Sequence, residues 1–166
     1  SASAVFMGQY GLSQQQFSYA FAFNAAGIML MSSLNKHLNT RMDIYPRLRL
    51  GGSIQFLGAV CVVFAGSMHN APLWILMSGL FFVVSGIGLT GPNAMALAMS
   101  KQGARAGTAS AIMGSMQFAC GLLGGVILNF LIWKASLNMG LMMLMFTSAG
   151  LVAIFKVGRQ QNSISM

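Results

Sequence analysis

Long apolar runs separated by short polar connections set the pattern of this chain. The runs occupy 17–34, 48–68, 73–99, 108–133 and 137–155. A helix needs about 20 apolar residues to cross the bilayer core, and each run reaches or approaches that length. None alternates apolar and polar positions as a barrel strand does. "FSYAFAF" at 17–23 alternates briefly, but inside a run of helical length it reads as helix. The chain opens on "SASAVFM", an apolar stub with no basic stretch ahead of it. That stub reads as the tail of a further membrane helix, over 1–7, and not as a signal peptide. Ser13 is placed to cap the first complete helix, its hydroxyl accepting from a free amide. The expected fold is an all-α integral membrane protein, a partial helix followed by five transmembrane helices. The short connections make consecutive helices antiparallel neighbours in one bundle.

Composition agrees with this class. Of 166 residues, 56% are hydrophobic and 6% charged, whereas a soluble domain carries about 25% charged residues. The net charge of +8 would suggest nucleic acid in a soluble protein. Here the bases have a simpler reading, because Lys and Arg concentrate in cytoplasmic loops. Lys36, Arg41, Arg47, Arg49, Lys101, Arg105, Lys156 and Arg159 fall in the first and third inter-helix connections and the C-terminal tail; Lys134 alone falls on the other side. This bias predicts a cytoplasmic C-terminus and a stub that ends outside, with no nucleic-acid partner. Cys61 and Cys120 lie deep in apolar runs with no ligand neighbours, and the histidines, His37 and His69, lie in connections. No metal, cofactor or enzyme chemistry is expected.

The polar residues inside the spans carry the functional reading. Asn24, Gln55, Asn93, Gln117 and Asn129 are amides in or near the runs, and an unpaired amide in hydrocarbon costs several kcal/mol. Asn24 shares a helical face with Phe17, Phe21 and Ile28, a combination that suits either an amphipathic ligand pocket or a helix interface. Asn93 follows Gly91 and Pro92; the proline deprives the Gly88 carbonyl of its donor and predicts a kink there. The Asn93 amide then faces a central pathway or a neighbouring helix. Gln117 lies on the face of Ser110, Gly114 and Gly121, and Gly107 and Gly125 extend this stripe of small residues. Such stripes let two helices approach closely in lipid, and Gln117 is either an interhelical hydrogen bond or a substrate contact. The one acid is Asp43, in a connection, so no span holds a proton-carrying group.

"GLTGPNAMALAMSKQGARAGTASAIMGSMQFACG" and "GLSQQQFSYAFAFNAAGIMLMSSLN" together resemble the tenth and eleventh helices and the eighth helix of Bcr/CflA-type drug-resistance transporters of the major facilitator superfamily. The resemblance implies a twelve-helix, proton-driven antiporter that expels small amphipathic molecules through a bacterial inner membrane. This chain would then be its C-terminal half, from the end of helix seven to helix twelve. A missing N-terminal six-helix half would be its partner in the bilayer and would hold the proton-carrying acid. Helices seven, eight, ten and eleven border the central cavity in that fold, which favours Asn24, Asn93 and Gln117 as cavity residues. The connection after the first complete span keeps Arg41, Asp43 and Arg47 of a gating motif but lacks its glycines. An alternative is a non-transporting membrane anchor or assembly subunit that binds a partner protein through its glycine-rich helix face.

Overall fold

The computed structural model describes residues 4–68, 71–100, 102–130 and 135–164. Residues 1–3 of the stub, 131–133 at the end of the fourth run, and His69, Lys101 and Lys134 lie outside the described residues. A short π-helix (Ala4–Gln9) leads into α1 (Gln14–Leu38), α2 (Ile44–Ser67), α3 (Leu73–Met99), α4 (Ala106–Phe130) and α5 (Ala135–Ile164). All five α-helices are long and apolar enough to cross a membrane. Among the described residues there is no strand.

Local chemistry sets the helix starts. Gly11 takes φ +64° in the turn before α1, a conformation glycine adopts without penalty. Ser13 and Gln16 then form a capping box, the Ser13 hydroxyl accepting from the Gln16 amide at 3.2 Å and the Gln16 side-chain oxygen accepting from the Ser13 amide at 2.9 Å. α2 begins earlier than its apolar run, at Ile44. Pro46 permits this, because first-turn amides have no helical acceptor to lose. Arg47 therefore stands inside α2, and not in the connection ahead of it.

The spatial order differs from the chain order. α3 packs extensively against both α1 and α2, and α2 packs in turn against α5. α1 and α2 are consecutive yet are not packed neighbours. Glycines explain the difference. A Cβ at Gly88 of α3 would stand 2.6 Å from the Ile28 carbonyl oxygen and 2.9 Å from the Ser32 amide of α1. On the opposite side, a Cβ at Gly58 of α2 would stand 2.7 Å from the Val83 amide of α3. The backbones are in close contact on both faces of α3, so α3 wedges between its predecessors. Matching positions rise together in α1 and α3 (Ile28 with Gly88, Asn35 with Asn93), so these helices are parallel. α2 runs antiparallel to α3 and to α5.

The buried apolar core gathers at the end that carries the π-helix, around Val5, Phe6, Val62, Leu76, Leu80 and Met139. Large apolar side chains point outward elsewhere, such as Met29 at 74% exposure and Phe118 at 83%; these suit hydrocarbon surroundings. α4 stands apart. It touches α3 and α5 only lightly, and no residue of its apolar window is buried.

Candidate functional site

Asn24 sits in the middle of α1, 9% exposed. Its Nδ2 donates to the Ala20 carbonyl at 3.0 Å, while its Oδ1 is buried with no hydrogen-bond partner. The side chain lines a cavity of about 250 Å³. Phe17, Phe21 and Ile28 of α1 share that cavity with Phe6 of the π-helix, Leu80 of α3 and Met139 of α5. Phe6 and Phe17 meet there with ring centres 5.8 Å apart. The walls are aromatic and aliphatic, and Asn24 supplies a lone acceptor. A buried acceptor without a donor is destabilised until one arrives, so the cavity suits an apolar body bearing an N–H or O–H group. Toward the π-helix end, a more open cleft of about 630 Å³ is lined by Tyr10, Gln16, Tyr19 and Ala20, the residue whose carbonyl Asn24 uses.

Asn93 is buried elsewhere, at a three-helix junction near the opposite end of α1. Its Nδ2 donates to the Asn35 Oδ1 at 2.8 Å and to the Leu89 carbonyl at 2.7 Å. Asn35 Oδ1 also accepts from Arg47 Nη1 at 3.2 Å, and Arg47 Nε donates to the Asp43 carbonyl at 3.3 Å. Asn93, Asn35 and Arg47 are 3%, 8% and 6% exposed. Asn93 thus stands at a helix interface, hydrogen-bonded across it to α1. α3 also runs through Gly91 and Pro92 as one helix, with both residues exposed. The Asn93 side chain bonds the turn one residue beyond the freed carbonyl, and the proline faces away from α1 and α2.

Gln117 is exposed on α4. Gly107, Gly114, Gly121 and Gly125 have nothing within 4 Å of an added Cβ, so no helix among the described residues packs closely on them; Gly121 and Gly125 border a cavity shared with Val83 of α3 and Met142 and Phe146 of α5. Ser110 on the same helix is half-buried. Gly124 is where α4 approaches α5: a Cβ there would stand 3.5 Å from the Phe146 ring. Gln55 lines a groove between α2 and α5, and the side chain of Asn129 lies outside the described residues. Arg41 and Asp43 are exposed, while Arg47 is buried and donates from Nε to the Asp43 carbonyl.

Asn35 is the junction residue that reading by hydropathy passes over, because it lies beyond the apolar run. The signal for it is register: eleven residues separate it from Asn24, three helical turns, so both lie on one face. No group of three or more His, Cys, Asp or Glu residues able to hold a metal is present among the described residues.

The comparisons with known proteins fit this all-helical, membrane-spanning arrangement. The chain is 32% identical, over 123 residues, to the bicyclomycin resistance protein homolog of Haemophilus influenzae, covering 74% of this chain and 31% of that protein. It is 29% identical, over 159 residues, to an uncharacterized MFS-type transporter, YdgK, of Bacillus subtilis, covering 95% of this chain and 39% of that one. The chain thus spans about a third of the length of the curated relatives it matches. No solved structure matches it. The pattern that defines the Major Facilitator Superfamily matches residues 1–125, and with it the chain belongs to that superfamily.

Proposed function

We propose that this chain forms part of an exporter of small amphipathic molecules, working by proton antiport and alternating access in the full-length protein. The observation that carries the reading is Asn24, a buried acceptor without a donor at the wall of an aromatic cavity. Similarity to a bicyclomycin resistance protein homolog supports a drug-like substrate. The exposed face of α4, with Gln117 and its glycines, is assigned to the six-helix half absent from this sequence, where the two bundles rock against each other. The proton-carrying acid is assigned to that half as well, since Asp43, the one acid here, lies at the α2 N-cap. Arg41, Asp43 and Arg47 form the cytoplasmic gating region, and the C-terminus is cytoplasmic in a bacterial inner membrane, on the bias of the basic residues. Family membership favours this reading over a non-transporting anchor.

The test uses the full-length protein in a bacterial strain stripped of other efflux pumps. Accumulation of fluorescent amphipathic dyes is measured with and without a proton uncoupler. The expected result is low accumulation that the uncoupler raises, and a several-fold rise for Asn24→Leu at equal protein level. Unchanged accumulation of every dye, with the protein present in the membrane, overturns the proposal.

A further inference from the structure

The seam between α2 and α5 runs antiparallel from Gly66 against Leu137 to Arg49 against Phe155 and Gly158. Toward the Arg49 end it opens into a groove of about 250 Å³, bordered by Gly52, Gln55, Phe146, Gly150, Leu151 and Ile154. Its two threonines already donate within their own helices, Thr90 to the Gly86 carbonyl at 3.2 Å and Thr147 to the Met143 carbonyl at 2.8 Å. The wall therefore offers little unmet polarity apart from Gln55.

Arg49 stands one turn from Gly52 at the end of this groove. Its guanidinium carbon lies 5.0 Å from the Phe155 ring centre, and its Nε is buried with no hydrogen-bond partner. The contrast with Arg47 is informative, because Arg47 has two acceptors from the protein. Lys156, exposed beside Phe155, adds a second positive charge at this end. The surrounding surface is apolar: Leu50, Val152 and Phe155 are 40%, 54% and 43% exposed. A half-buried guanidinium whose Nε has no acceptor, beside a largely apolar groove on a surface suited to hydrocarbon, is complementary to one class of molecule. Guanidinium forks match phosphate oxygens, and basic pockets between membrane helices take anionic headgroups. We infer that the α2–α5 groove binds an anionic phospholipid, its phosphate on Arg49 and one acyl chain along Gly52, Gly150, Leu151 and Ile154. A zwitterionic lipid carries its own ammonium beside the phosphate and gains less from Arg49.

Native mass spectrometry of the full-length protein in detergent tests this, titrated with dioleoyl phosphatidylglycerol or dioleoyl phosphatidylcholine. Wild type is expected to retain the phosphatidylglycerol preferentially. Arg49→Gln should bind it about fivefold more weakly, the scale of one basic residue at a membrane surface. Arg49→Lys keeps the charge but loses the fork, and should fall between the two. Gly150→Leu fills the groove without touching any charge, into space that is open at Gly150, and should also weaken retention. Lys36→Gln, on exposed α1, should change nothing. Wild-type retention in Arg49→Gln overturns the site. So does an equal loss in Lys36→Gln, which would mean diffuse attraction, or equal retention of the two lipids. Should Arg49→Gln fail to fold, Arg49→Lys and Gly150→Leu decide the question.

Discussion

Asn93 of α3 and Asn35 of α1 share a hydrogen bond of 2.8 Å, and the Asn35 oxygen that accepts it accepts from Arg47 of α2 as well. One acceptor thus joins three helices, two of which are otherwise held apart by the third. The geometry assigns unequal weights to the partners. Asn35→Ala removes both bonds and leaves a buried guanidinium with the Asp43 carbonyl. Asn93→Ala removes two neutral bonds, one to Asn35 and one to the Leu89 carbonyl of its own helix, and leaves Arg47 paired with Asn35. Hydrogen bonds to charged groups are worth about 1.5–3 kcal/mol, and neutral ones between membrane helices about 0.6 kcal/mol. Asn35→Ala should therefore lower the thermal midpoint in detergent clearly more than Asn93→Ala. The reverse order would show that Asn35 is not the hub.

Glycines fall into two groups that substitution should separate. At Gly88 and Gly58 an added methyl meets backbone atoms of a neighbouring helix below 3.0 Å, which cannot swing aside as a side-chain tip can. Gly88→Ala and Gly58→Ala should each destabilise by about 1–3 kcal/mol, the usual cost of overpacking. At Gly114 and Gly121 there is open space within this chain, so Gly114→Ala should leave its stability unchanged. Yield and monodispersity after solubilisation read the difference. A loss at Gly114 equal to that at Gly88 would place α4 against the rest of this chain after all.

Hydropathy made the helices legible, because a span must be apolar and about 20 residues long. It could not show their neighbours. Loop length suggested that α1 packs on α2, yet the glycines of α3 decide the arrangement, and contact between backbones depends on which faces meet. The helix ends were hidden for a related reason. Asn35 and Arg47 read as connection residues by polarity, whereas paired with each other they lie buried in helical turns. Asn24 was the most legible of the site residues, since its face already carried Phe17, Phe21 and Ile28, which line its cavity. Pro92 lies inside the continuous α3 that the apolar run predicted, and the side chain that follows it bonds back to the Leu89 carbonyl, a contact that hydropathy cannot show.

Accessibility to water separates the three amides in the full-length protein. Cys61 and Cys120 are both exposed and are first replaced by alanine, so that single cysteines can be placed at 24, 93 and 117. Asn93 is 3% exposed and bonded on two sides, so Asn93→Cys should resist a membrane-impermeant thiol reagent. Gln117 is exposed, so Gln117→Cys should react if α4 borders a wet pathway. Asn24→Cys should react more slowly, through the cleft beside Ala20, and a transported dye should slow it further by filling the cavity. Rapid reaction at 93 would mean that the junction opens during the transport cycle and Asn93 belongs to the pathway. Silence at both 24 and 117 would remove α1 and α4 from it, and the substrate reading of Asn24 would fall.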